Sequence, residues 1–150
     1  MKKLHKKQSL KRKSSLPQSL KRKSSLPIEK KKAWKLFSEI VRRMYANEDG
    51  MVDCVTCGRW HHWKDIHAGH FLPKSRGTSI YFECANVHPQ CPHCNTYQHG
   101  NLINYFRWME TFYGRDEIDR LEKLAKTTVK YTRQDYIDMQ EHYKMCLLEL

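Results

Sequence analysis

The chain has 150 residues and a formal net charge of +12, which suits one small domain with a tail. Residues 1–32 hold 13 Lys/Arg and one acid, whereas residues 33–150 hold 15 of each sign, so the whole excess sits on one arm. No apolar run approaches the roughly 20 residues of a membrane span, and no apolar segment follows the basic start as in a secretory signal. Membrane insertion and export are therefore not expected.

Residues 8–17 read QSLKRKSSLP, and residues 18–27 repeat them letter for letter. Packed elements rarely absorb such an insertion, and Ser, Lys and Pro supply no core. Residues 1–29 are therefore expected to be a disordered basic arm, with residues 30–150 forming the folded domain. Lys11, Arg12, Lys13, Lys21, Arg22 and Lys23 are the arm's candidate DNA contacts, acting through phosphate neutralisation and counterion release. A merely solvated tail is the plainer alternative.

Trp34, Phe37, Val41 and Met44 recur at three- and four-residue steps, which predicts a packing helix closed by Gly50. Thr78–Cys84 alternates, with Ile80, Phe82 and Cys84 on one side, and is expected to be a strand. Its expected partner is WHHWKDIHAGHF (residues 60–71), joined to it by the loop LPKSRG. Asn101 is expected to cap a helix through Tyr113, with Gly114 as its stop. Leu121 and Leu124 mark a short helix. Thr132 caps a last one, with Tyr136, Gln140, Tyr143 and Leu147 along one side. These aromatics are expected in the core or in a dimer seam.

Cys54, Cys57, Cys91 and Cys94 form two Cys-x-x-Cys pairs. Without an export signal, such pairs are more often metal ligands than disulfides. Two thiolate corners complete a tetrahedron, and soft sulfur favours Zn2+ over Mg2+. One structural zinc is expected. The pairs are 33 residues apart, enough for a β-hairpin that contains His67 and His70. Four sulfurs would fill the zinc and leave both histidines free, although a Cys3His site using one of them is the competing arrangement. Cys84 and Cys146 are expected to be small buried hydrophobes.

The string Ala68–Phe71, Phe82, Asn86, His88, Gln90–Cys91, Cys94–Asn95 and Gly100–Leu102 closely resembles the NinG/Rap family of lambdoid phages. A histidine ending a strand, then Asn86, then Asn95 after the knuckle, also looks like the HNH, or ββα-metal, nuclease motif. The resemblance implies an α+β fold: a treble-clef ββα-metal (HNH-like, His-Me finger) zinc core with flanking helices behind a disordered basic N-terminal arm. It implies a structure-specific endonuclease in phage recombination that cuts branched intermediates such as Holliday junctions and D-loops with Mg2+ or Mn2+. It also implies action in the cytoplasm of a bacterial host, although KRK and KKK could be read as a nuclear import signal.

On that resemblance His70 is the general base, because an imidazole of ordinary pKa about 6.5 is largely neutral near pH 7. Asn95 is a ligand of the catalytic ion, with a helix cap as its alternative. Asn86 holds the hairpin and the His70 ring, or is a plain turn residue. Gly69 departs from the pattern, since many HNH proteins place a metal-binding Asp or His just before the base. His67 and His99 are candidates for that missing ligand and equally for surface residues. Residues three apart on a regular strand face opposite ways, so His67 would require a bulge at Gly69. His99 would require one continued helical turn after Asn95. His88 is either a loop residue or a ligand. Trp60, His61, His62 and Trp63 either pack near the first knuckle or face DNA. Lys74 and Arg76 either grip phosphates or are solvated. Cutting both strands of a junction implies a homodimer. The rival readings are a non-catalytic zinc-finger DNA-binding module, an HNH nicking enzyme acting on duplex DNA and, more distantly, a zinc-stabilised adaptor.

Overall fold

A computed structural model describes residues 24–150. The arm candidates Lys11, Arg12, Lys13, Lys21, Arg22 and Lys23, and most of the repeat, lie outside the described residues. The elements in order are α1 (Leu26–Met44), β1 (Met51–Asp53), β2 (Trp60–His62), β3 (His67–His70), β4 (Val87–Gln90), α2 (Leu102–Tyr113), α3 (Arg115–Ala125) and α4 (Arg133–Leu148). The fold is thus α+β, with two two-stranded antiparallel sheets, β1–β2 and β3–β4.

Helix α1 starts earlier than the sequence pattern suggests. Pro27 sits in its first turn, where its missing N–H costs nothing. Leu26 to Glu29 therefore belong to the folded part and not to the arm. The buried stripe is Glu29, Ala33, Phe37 and Val41, spaced four apart, while Met44 is exposed. Burying Phe37 alone is worth about 1.5–3 kcal/mol. Gly50 does not end this helix. It adopts φ +74° in the turn that leads into β1, where a side chain would press on His62.

The expected strand Thr78–Cys84 is absent, and β3 pairs instead with Val87–Gln90. Tertiary bonds override the local alternation. The Thr78 hydroxyl donates to the Val129 carbonyl at 2.6 Å, and the Ser79 hydroxyl donates to the Leu124 carbonyl at 2.6 Å. Ile80 enters the core formed with α2 and α3, whereas Phe82 packs between α1 and α4. Cys84 is exposed and Cys146 half-buried, so neither is the buried hydrophobe expected.

The helices after the sheets follow their local signals. Gly114, at φ +82°, both ends α2 and precedes α3. Thr132 forms a reciprocal capping box with Asp135 at the start of α4, worth about 1 kcal/mol. Helix α4 packs along α1, and Tyr143 meets Phe37 and Phe82.

Glu29 fastens α1 to α4. It is buried and accepts hydrogen bonds from Gln140 Nε2 at 2.7 Å, from Lys32 Nζ at 2.9 Å and from the Ser24 hydroxyl. The Gln140 bond, followed by those of Ser24 and Lys32, holds its carboxyl down at about 2 from the usual 4.5. A depressed carboxylate adds stability above its unfolded pKa and loses it as pH falls towards its folded pKa. Glu29→Gln should therefore lower the thermal midpoint at pH 7. The gap to the wild-type chain should narrow below about pH 4.5 and close near pH 2. Zinc loss in acid would affect both chains alike. A gap independent of pH would contradict this role.

Candidate metal centre and adjoining cleft

The first knuckle is the β1–β2 turn. The Cys54 N–H donates to the Arg59 carbonyl at 3.0 Å, and the Gly58 N–H donates back to the Cys54 carbonyl at 2.8 Å. Gly58 adopts φ +70°, which glycine tolerates best. The second pair lies where β4 delivers Cys91 and Pro92 starts a single π turn, His93–Tyr97, that carries Cys94. All four sulfurs lie within 4.8 Å of one another, with Cys57 and Cys91 3.8 Å apart. A tetrahedral zinc with Zn–S about 2.3 Å has sulfur–sulfur edges of about 3.8 Å, so the cluster could hold zinc. Cys94 N–H and Asn101 Nδ2 point at sulfurs of Cys91 and Cys94, at 3.4 and 3.5 Å, as donors do around thiolates. Asn101, at φ 44°, caps α2 by its backbone position, while its amide nitrogen makes this contact and its Oδ1 accepts from Asn104 Nδ2 at 3.0 Å. Neither His67 nor His70 belongs to the cluster, and no other group of three or more His, Cys, Asp or Glu forms such a cluster among the described residues.

Beside the cysteines lies a cleft of about 530 Å³, bordered by Trp34, His67, His70, Lys74, Asn95 and His99. The sequence-derived candidates thus converge, although Arg76, in the same exposed turn as Lys74, does not line it. Trp60, His61, His62 and Trp63 lie on or just after β2, beside the first knuckle. Trp63 packs against the cysteine core.

His70 ends β3 and stacks on Trp34, with ring centroids 5.0 Å apart and planes 14° apart. Its Nε2 lies 3.0 Å from the Tyr81 carbonyl. A carbonyl only accepts, so Nε2 carries the proton and Nδ1 keeps its lone pair. Nδ1 makes no hydrogen bond among the described residues. Burial lowers the His70 pKa, and Lys74 adds to the effect, against the opposing bond to Tyr81. Its burial thus favours the neutral form of the ring.

Asn86 makes no hydrogen bond to that ring, contrary to the expectation. Fully buried, it receives the Leu72 N–H at 2.8 Å and donates to the carbonyls of Leu72 and Ile80, both at 3.1 Å. It closes the base of the Phe71–Asn86 loop, which carries Tyr81 to the ring. His88 is structural as well. Burial lowers its pKa to about 3. Its Nε2 and Nδ1 lie 3.1 and 2.9 Å from the hydroxyls of Tyr113 and Tyr105, and the Tyr105 hydroxyl donates to the Gly69 carbonyl at 2.9 Å.

His67 reaches the site without the bulge that was expected. The β3–β4 register runs one for one, from His67↔Gln90 to His70↔Val87. Asn95, on the π turn, comes to the strand, and its amide nitrogen donates to His67 Nδ1 at 3.1 Å. Gly69 supplies clearance and not a bend. A Cβ there would collide with Gln90 Oε1 and sit 3.1 Å from Asn95 Oδ1. The helical turn does not continue to His99, which adopts φ 49°, yet His99 still borders the cleft.

Sequence reasoning missed four contributors. Trp34 and Arg42 come from a helix assigned only to packing, and Tyr81 from a supposed strand. Gln90 is fully buried and ties Gly100 (2.8 Å) to Thr56 in the first knuckle (3.3 Å), while its Oε1 has no partner. The spacing Trp34–Ser38–Arg42 was the available signal for α1, since it is a second stripe four residues apart.

A family model described as "NinG: Bacteriophage Lambda NinG protein" matches residues 1–150. The chain is similar to "Protein ninG" of Escherichia phage 933W and of Escherichia phage lambda, each 26% identical over 93 residues, 59% of this chain and 43% of the relative. It is 24% identical to "Protein ninG" of Salmonella phage P22 over 121 residues, 77% of this chain and 56% of the relative. The chain thus spans about half the length of these relatives. No solved structure matches. No helix among the described residues is long and apolar enough to cross a membrane.

Two outcomes check this geometry. Atomic emission should find one zinc per wild-type chain and far less in Cys91→Ser; equal content would contradict the four-sulfur site. Gly69→Asp should lower stability by about 1–3 kcal/mol, because it overfills a packed contact, and an unchanged thermal midpoint would contradict the crowding at Gly69.

Proposed function

The chain belongs to the NinG family of bacteriophage proteins, and from that premise and its cleft we propose that it is a DNA endonuclease dependent on Mg2+ or Mn2+. The carrying observation is the geometry of His70, a half-buried imidazole with one nitrogen committed to the Tyr81 carbonyl and the other without a partner among the described residues. The order of knuckle, hairpin and helical turn supports a treble-clef ββα-metal (HNH, His-Me finger) core.

Asn95 and His67 are the residues that would hold the catalytic ion. The two side chains already meet, with the Asn95 amide nitrogen 3.1 Å from His67 Nδ1, so both could face one ion. Rotating the amide by half a turn presents its oxygen there instead, an assignment that coordinates alone do not fix. When bound, the ion supplies Lewis acidity to the phosphate and the departing oxygen. Among the described residues no Asp or Glu lines the cleft, so a DNA phosphate would be needed to complete the charge and the ligand set of a bound ion. His99, on the rim, is a further candidate ligand.

His70 Nδ1 takes the proton from a water molecule. The resulting hydroxide attacks phosphorus, the P–O bond on the opposite side breaks, and its electron pair leaves with the departing oxygen. Trp34 and Tyr81 keep the ring aimed. Lys74 grips a neighbouring phosphate. The basic arm adds sequence-independent affinity that weakens with salt. Preference for branched recombination intermediates rests on the family resemblance, a homodimer on the need to cut two strands, and the bacterial host cytoplasm on the phage relatives.

The test is a digest of a four-way junction and its linear duplex arms, with and without Mg2+. The wild-type chain should cut the junction faster, and only with the ion. His70→Ala should lose about 10²–10⁴ in rate and still bind the junction. Equal cutting by the variant would remove His70 from its role, and preference for the linear arms would favour a duplex-nicking enzyme. Binding without any cutting would favour a non-catalytic zinc module.

A further inference from the structure

We propose that Arg42 is a preset clamp for the phosphate that His70 addresses, a subsite that takes a phosphodiester anion. The inference rests on the nuclease reading above. Helix α1 presents two stripes. Glu29, Ala33, Phe37 and Val41 face the core, while Trp34, Ser38 and Arg42 line the cleft. The same helix thus stacks on His70 at one end of the second stripe and brings a guanidinium to the other.

That guanidinium is held before any ligand arrives. Its Nε donates to the Ser38 carbonyl at 2.9 Å, and its Nη1 donates to the Trp63 carbonyl at 3.2 Å. The Trp63 ring lies alongside, 5.7 Å from the guanidinium carbon. Both carbonyls are neutral, and Arg42 forms no salt bridge among the described residues, unlike Arg43 with Glu39 or Arg120 with Glu83 and Glu117. Nη2 has no partner among the described residues. The Glu39 carboxylate, three residues back on α1, acts on this cation only through space and makes no salt bridge with it, and because much of the guanidinium's desolvation cost is already met, its free edge favours an anion. With Lys74 also present and no acid on the walls among the described residues, the cleft is an anion site. The planar fork fixed at two corners leaves one edge for phosphate oxygens, a geometry lysine cannot copy.

Charge on the phosphoryl oxygens is redistributed and crowded at the transition state, so a preset donor acts more on rate than on binding. The experiment compares Arg42→Met and Arg42→Lys with the wild-type chain on a four-way junction. Junction affinity is measured across a salt series without divalent ion, and single-turnover cleavage is measured with Mg2+. Thermal midpoint and zinc content confirm folding. Arg42→Met should cut about 10²–10³-fold more slowly, with affinity reduced less than about tenfold and the salt slope lowered by about one. Arg42→Lys should restore the slope but not the rate. A wild-type rate and slope in Arg42→Met, or full rate in Arg42→Lys, would overturn the clamp. If Arg42→Met does not fold, the Arg42→Lys rate decides alone. If the wild-type chain binds junctions but never cuts them, the nuclease reading fails, while the change in slope still tests Arg42 as a phosphate contact.

Discussion

The convergence of four sulfurs is the constraint on which the remaining geometry depends. The two sheets have strands of only three or four residues, and isolated two-stranded hairpins of that size are marginal in water. A metal held by Cys54, Cys57, Cys91 and Cys94 would lock the β1–β2 turn to the end of β4. The second pair also sets where the π turn begins, and that turn carries Asn95 to His67. Gln90 extends the link inward by joining Thr56 of the first knuckle to Gly100 beyond the π turn.

A second layer aims the imidazole. Asn86 closes the loop whose Tyr81 carbonyl orients His70, and Trp34 backs the ring from α1. Glu29 then fixes α1 to α4. The site therefore draws on a helix distant from the cysteine motifs, which explains why a short motif alone does not specify it. Arg42 and Lys74 line the cleft and, among the described residues, no Asp or Glu does, which is the charge balance a polyanion would need. The ion and the phosphate would then each supply what the other lacks.

Much of this was legible in the sequence where the determinants are local. Cysteine spacing, the Thr132 capping box and Gly114 as a helix stop depend on neighbouring residues, and they stand where expected. The strand assigned to Thr78–Cys84 does not form because Ile80 and Phe82 serve two different cores, and no local alternation reports that. Glu29 looks like part of a polar arm until Gln140, 111 positions away, donates to it. Gly69 suggested a bulge, but its actual cause is Gln90 on the facing strand. Arg42 was concealed within an amphipathic pattern, because a stripe that lines a cleft has the same period as one that fills a core.

The most direct measurement is anomalous scattering at the zinc and manganese edges from a crystal of the chain with a four-way junction and Mn2+. Zinc is expected among the four sulfurs, manganese beside Asn95 and His67, and a DNA phosphate at Arg42. Zinc ligated by His70, or manganese bound away from the Asn95–His67 pair, would contradict this arrangement.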